Sequence, residues 1–140
     1  MNAPNVPDAQ KVQQAVEASL AAFRHCYHAS HARSEEAPDL CSVLLDSAEL
    51  SLTLVRTLLR RATASAQLIR LCMASNHAAA VALGPFDKSD PLLHATYAVC
   101  MRASHACAEL LGEEKPSTYD PQDRRLYESF PASDPPSTSS

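Results

Sequence analysis

The segment Leu71-Cys72-Met73-Ala74-Ser75-Asn76-His77-Ala78-Ala79-Ala80-Val81-Ala82-Leu83 has no strand-type alternation and meets neither glycine nor proline until Gly84-Pro85. Side chains three and four apart share a helix face, so Ile69, Cys72, Asn76, Ala79 and Leu83 form one stripe. The stripe is narrow and soft: a thiol, an amide, a methyl and two aliphatic groups. Working outward, Cys100, Ser104, Cys107 and Leu111 repeat it near the end of the chain, and Ser19, Ala22 and Cys26 near the start. Three helices are therefore expected to present partly thiol-bearing faces to a shared interior.

Punctuation along the chain sets the helix ends. Pro7-Asp8 suits a first helical turn, where the missing proline N–H costs nothing and an acid complements the helix dipole. From there Val12, Val16, Ser19 or Leu20, Phe23 and Cys26 or Tyr27 keep an apolar face to about Ala32. Arg33-Ser34-Glu35-Glu36-Ala37 is a polar connector, and Pro38 opens a second helix. The stretch from Asp39 to Leu83 lacks glycine and proline and is at the upper limit for one helix in a compact domain. A turn is expected at the polar Arg60-Arg61-Ala62-Thr63, with Thr63 capping a third helix. Gly84-Pro85 stops that helix; Asp90 then caps a fourth, Pro91 is its first residue and Gly112 ends it.

The expected fold class is all-α: an antiparallel up-down-up-down four-helix bundle over residues 1–112, followed by a disordered Pro/Ser-rich C-terminal tail over 113–140. Within that tail Arg124-Arg125-Leu126-Tyr127-Glu128-Ser129-Phe130 has the pattern of one short amphipathic turn. The chain of 140 residues suffices for a single buried core, and abundant Ala and Leu with only 2 glycines favours helix. The net charge of −4 is mild and dispersed, and no nucleic-acid motif is present, so no nucleic-acid partner is expected. Without a bilayer-length apolar run or signal-type N-terminus, the reading is no membrane and a cytoplasmic location. The 5 cysteines stand singly with no CxxC pair and are expected to be free thiols. No Glu-x-x-His pair, phosphate-binding glycine loop or nucleophile elbow occurs, so no enzyme class is indicated.

The segment Leu45-Asp46-Ser47-Ala48-Glu49-Leu50-Ser51 resembles the Leu-x-Cys-Ala-Glu-x-Cys pattern of the cysteine-rich copper storage proteins, a family of four-helix bundles. In that family cysteines at spacings of three and four line the bundle and hold many Cu(I) ions. On that pattern Cys26, Cys72, Cys100 and Cys107 match family cysteines. Ser19, Ala22, Ser47, Ser51, Ile69, Asn76, Ala79, Leu83, Ser104 and Leu111 stand where others would be. Soft Cu(I) favours thiolate and thioether ligands, and these replacements cannot supply them. The resemblance covers roughly Glu17 to Leu111 and implies the bundle fold, much reduced copper capacity, and a homo-oligomer formed through outer helix faces. Leu52, Leu54, Val55, Leu58 and Leu59 exceed what one buried face needs, which is compatible with such an interface.

Cys100 and Cys107 share a helix face but are separated by roughly 10 Å along the axis. Cys26 or Cys72 would have to join them at the same level to complete a site. Beside that stripe run His94, Met101 and His105, and Met73 and His77 form an i, i+4 pair; each reads either as auxiliary copper ligand or as core filler and surface imidazole. His25, His28 and His31 can bind a metal or simply complement the negative helix end. The functional expectation is low-capacity Cu(I) binding by some of Cys26, Cys72, Cys100 and Cys107, with Met101, His94 and His105 as further metal ligands. The alternative is a metal-free bundle that serves as an oligomeric interaction protein or holds a small ligand among Asn76, Ser47, Ser51 and Ser104.

Overall fold

The computed structural model describes residues 8–86 and 88–112; the expected tail over 113–140, including Arg124 to Phe130, lies outside the described residues. Four helices run in order: α1 (Ala9–Ala32), α2 (Pro38–Arg61), α3 (Ala66–Leu83) and α4 (Pro91–Leu111). Each packs on the next, and α1 also packs on α4, closing an up-down-up-down ring around one interior. Short connectors enforce that antiparallel order. Among the described residues no helix is long and apolar enough to cross a membrane.

Two expected helix starts shift by small amounts. Asp8 is not in the first turn of α1 but just outside it, where its carboxylate accepts the Gln10 N–H at 2.8 Å. An acceptor held outside the first turn can reach an N–H that the helix leaves unpaired. Between α2 and α3 the chain reverses through Ala62, a left-handed residue with φ 61°. The reversal consumes Thr63 and Ala64, so Ser65 rather than Thr63 caps α3, its Oγ accepting the Leu68 N–H at 3.1 Å. Pro38 and Pro91 open their helices as read, and Gly112 ends α4 at φ 76°, where a side chain would be strained.

Asp90 does more than cap α4. One of its oxygens accepts the Leu92 and Leu93 N–H groups, while the carboxylate also takes a forked pair from Arg33 at the end of α1, with both nitrogens at 3.1 Å. The Arg33 guanidinium holds the Asp90 carboxyl below its usual range. This contact pins the end of α1 to the start of α4. Its contribution is present above the ordinary carboxylate range and fades as pH falls through the lowered value.

The three predicted stripes are buried, except that Leu111 is half-covered. Leu54, Val55 and Leu58 are also core residues. They are therefore not surplus surface, and of the five positions read as excess only Leu52 and Leu59 retain substantial exposure. The interior divides into two large clusters along the axis, with a small third one of Ala18, Ala22 and Ala103 where α1 meets α4. One gathers Leu40, Leu44, Ala79, Ala80, Leu83 and Leu93 around Cys26 and Cys100; the other gathers Ala15, Leu54, Leu58 and Ile69 around Cys72 and Cys107.

Candidate metal centre: two buried thiol pairs

All 5 cysteines are free and buried. The question left by their spacing, which thiols lie level with Cys100 and Cys107, has a definite answer. Cys26 on α1 meets Cys100 on α4 with Sγ to Sγ at 3.3 Å. Cys72 on α3 and Cys107 on α4 are buried in one cluster, where the ionisation of each thiol is tied to the other. Since Cys100 and Cys107 are two turns apart, the pairs are separated by about 10 Å along the bundle.

Within each pair the two protons differ. The hydrogen bond with Cys100 pulls the Cys26 thiol below its ordinary value, with Ser47 helping, against the opposing effect of burial. Cys100 moves well upward, because Cys26 keeps its proton in place and burial disfavours a second charge. Cys72 is likewise lowered, first by Cys107 and then by Ser51, Ser19 and Asn76, while Cys107 is raised far above the ordinary thiol range. One thiolate per pair is stabilised by the remaining S–H; a second charge is resisted.

The polar residues of the core explain part of this pattern. Asn76 is fully buried on α3 and bridges to α2: Ser47 Oγ donates to Asn76 Oδ1 at 2.8 Å, and Asn76 Nδ2 donates to Ser51 Oγ at 3.0 Å. The same amide nitrogen lies 3.1 Å from the Cys72 carbonyl oxygen and 3.5 Å from its Sγ. Ser51 Oγ stands 3.8 Å from Cys72 Sγ. Ser104 Oγ donates to the Met73 carbonyl at 3.2 Å, and Thr96 Oγ1 to the Leu92 carbonyl at 2.7 Å. The buried polar groups thus satisfy one another. The exception among the described residues is Ser19 Oγ, fully buried beside Cys72 and Cys107 without a partner of hydrogen-bonding geometry.

The other predicted ligands are distributed differently. Met101 is half-buried and packs against the cluster that holds Cys26 and Cys100. His94 is exposed, and His105 lines an open groove between α1 and α4 with Gln14, Glu17, Arg102 and Glu109. Met73 packs against the cluster of Cys72 and Cys107. At the end of α1, His25 Nδ1–H donates to the Ala21 carbonyl at 3.0 Å and His31 Nδ1–H to the Tyr27 carbonyl at 2.9 Å. Each bond uses Nδ1 alone and leaves Nε2 as the free acceptor of its ring. Among the described residues no group of three or more His, Cys, Asp and Glu side chains converges as a metal cage. Cys41, which spacing left without a role, sits apart between α2 and α1, with Sγ 3.9 Å from the Ala29 carbonyl oxygen. Burial, aided by Glu36, pushes its thiol upward.

What the fold and site define is a four-helix bundle whose axis carries two dithiols. No protein-family model, curated protein or solved structure matches this chain.

Proposed function

We propose that the chain binds Cu(I) at low capacity, with one ion at Cys26 and Cys100 and one at Cys72 and Cys107. The observation that carries this reading is the Cys26 and Cys100 pair, with sulfurs 3.3 Å apart across two helices; Cys72 and Cys107, buried together in the second cluster, offer a similar combination. Two thiolates are a complete ligand set for a soft monovalent ion, whereas Zn(II) wants four ligands and finds no group of three or more among the described residues. With metal–sulfur bonds of about 2.3 Å, a linear unit spans about 4.6 Å. The Cys26 and Cys100 sulfurs at 3.3 Å must therefore part modestly. Side-chain rotation among the small members of the same cluster, such as Ala48 and Ala79, permits that movement.

The separation of the pairs by about 10 Å supports one ion per pair rather than the shared, multinuclear copper of a thiol-lined storage tube; the reading is of a cysteine-depleted relative of the copper storage bundles, placed in the cytoplasm. Mutual satisfaction of Ser47, Ser51 and Asn76 favours the thiols over an organic ligand as the reason for a polar core. Binding must displace the proton that each pair retains, so affinity rises with pH, by about tenfold per unit for each proton displaced. A Cu(I) titration of the reduced protein against a competing chelator is expected to count two ions per chain, held more tightly at pH 8 than at pH 6.5. Failure to compete at either pH would remove the proposal.

A further inference from the structure

Leu45, Leu52 and Leu59 follow one another on α2 at intervals of seven residues. That spacing makes a stripe about 21 Å long on one side of the helix. Leu59 is 71% exposed and Leu45 36%, with Leu52 half-buried between them. Ala48 and Val55 border the stripe on its inner side and are buried. The apolar band continues onto α1, where Leu20 and Phe23 are half-buried and Tyr27 is 49% exposed. Helical spacing turns those three away from Ala18 and Ala22, which pack against Ala103 of α4.

Charge is distributed along α2 with a definite polarity. Asp46 and Glu49 lie toward its N-terminal half, Arg56 and Arg60 toward its C-terminal half, and all four are exposed. Helical spacing puts them on the same outer flank of the leucine stripe. Glu49 and Arg56 are two turns apart, about 10 Å along the axis, too far to pair within one helix. None of the four side chains has an ion-pair partner among the described residues.

We infer that this face of α2 is a docking surface for a second copy of the same chain, in an antiparallel, two-fold arrangement centred near Leu52 and Thr53. A two-fold axis perpendicular to the helix and lying in the interface reverses helix direction while keeping each flank on its own side. It therefore sets Glu49 against the partner's Arg56, Asp46 against the partner's Arg60, and Leu45 against the partner's Leu59. One axis satisfies every pair twice, as an isologous interface requires. Parallel pairing would put the charged flanks on opposite sides and leave them unpaired. A stable interface buries on the order of 1,200 Å² or more, beyond what one leucine stripe supplies, and the α1 band beside it extends the area. The inference is independent of the thiols, none of which lies on this face.

Sedimentation velocity of the full chain, metal-free and reduced, reads it out directly. The unmodified protein is expected to be a dimer at tens of micromolar. Glu49→Arg and Arg56→Glu each place like charges across the axis and should weaken the dimer by at least about tenfold. The double variant Glu49→Arg/Arg56→Glu exchanges the two signs and should recover it. Both sites are exposed, so helical circular dichroism should be unchanged in all three variants. A monomeric parent at 100 µM, a dimer indifferent to both reversals, or a double variant that fails to recover would each overturn the inference.

Discussion

The two ends of the bundle interior carry the same chemical unit, a cysteine from α4 facing a cysteine from another helix, in different surroundings. Cys26 and Cys100 are embedded among Leu40, Leu44, Leu83 and Leu93, with Ser47 as a polar neighbour. Cys72 and Cys107 sit beside Ser19, Ser51 and Asn76. A thiolate taken out of water is costly unless hydrogen bonds replace the lost hydration. Cys26 relies mainly on its own partner for that support, whereas Cys72 draws on a preassembled set of hydroxyl and amide groups. The comparison separates what pairing alone provides from what a polar lining adds. Ser19, Ser51 and Asn76 thus do more than fill space: they favour the charged form of the Cys72 thiol.

The largest way to break that contrast is to remove its hub. Asn76→Ala deletes the amide that joins Ser47 and Ser51, leaves both hydroxyls short of a partner, and opens a cavity beside Cys72. The expected loss is about 4 kcal/mol of unfolding free energy, measured by urea denaturation. Copper affinity should fall at the Cys72 and Cys107 pair more than at the other. A loss under about 1 kcal/mol would mean that the network is not holding α2 to α3. The smallest effect is expected from Ser19→Ala. Because that hydroxyl is buried without a partner, its removal should be neutral or stabilising, within about 1 kcal/mol. The same change should move the ionisation of the Cys72 thiol to higher pH, followed by thiolate absorbance, and leave Cys26 where it is. A shift at the distant pair, or a substantial destabilisation, would contradict the division drawn between the two.

Much of this architecture is legible in the residues. Asp90-Pro91, Pro38 and Gly112 act through local backbone chemistry, so their positions in the sequence fix helix ends without reference to the rest of the fold. The stripes of Cys72, Asn76 and Ala79 or Cys100, Ser104 and Cys107 are likewise local, because helical periodicity alone decides which side chains share a face. The pairing of thiols is not local. Spacing shows that Cys100 and Cys107 are two turns apart, but which of Cys26 and Cys72 stands opposite each depends on the axial offset between helices. Connectors and packing set that offset. Asn76 shows the same limit: its place on the inner face is periodic, but its two serine partners belong to another helix. Ser65 displaced Thr63 as a cap because the turn at Ala62 needed two residues to clear α2. Leu54, Val55 and Leu58 looked surplus because a broad apolar face on α2 serves both the axis and the side contacts of the ring.

Copper counting in two double variants that each retain two of the four stripe thiols tests the two-pair arrangement most directly. Cys26→Ser/Cys100→Ser removes one whole pair; Cys26→Ser/Cys72→Ser removes one thiol from each. The arrangement predicts that the first variant keeps one tightly competing Cu(I) per chain and the second keeps none, with both still helical. Equal copper in the two variants would contradict it, because the four thiols would then act as a common pool.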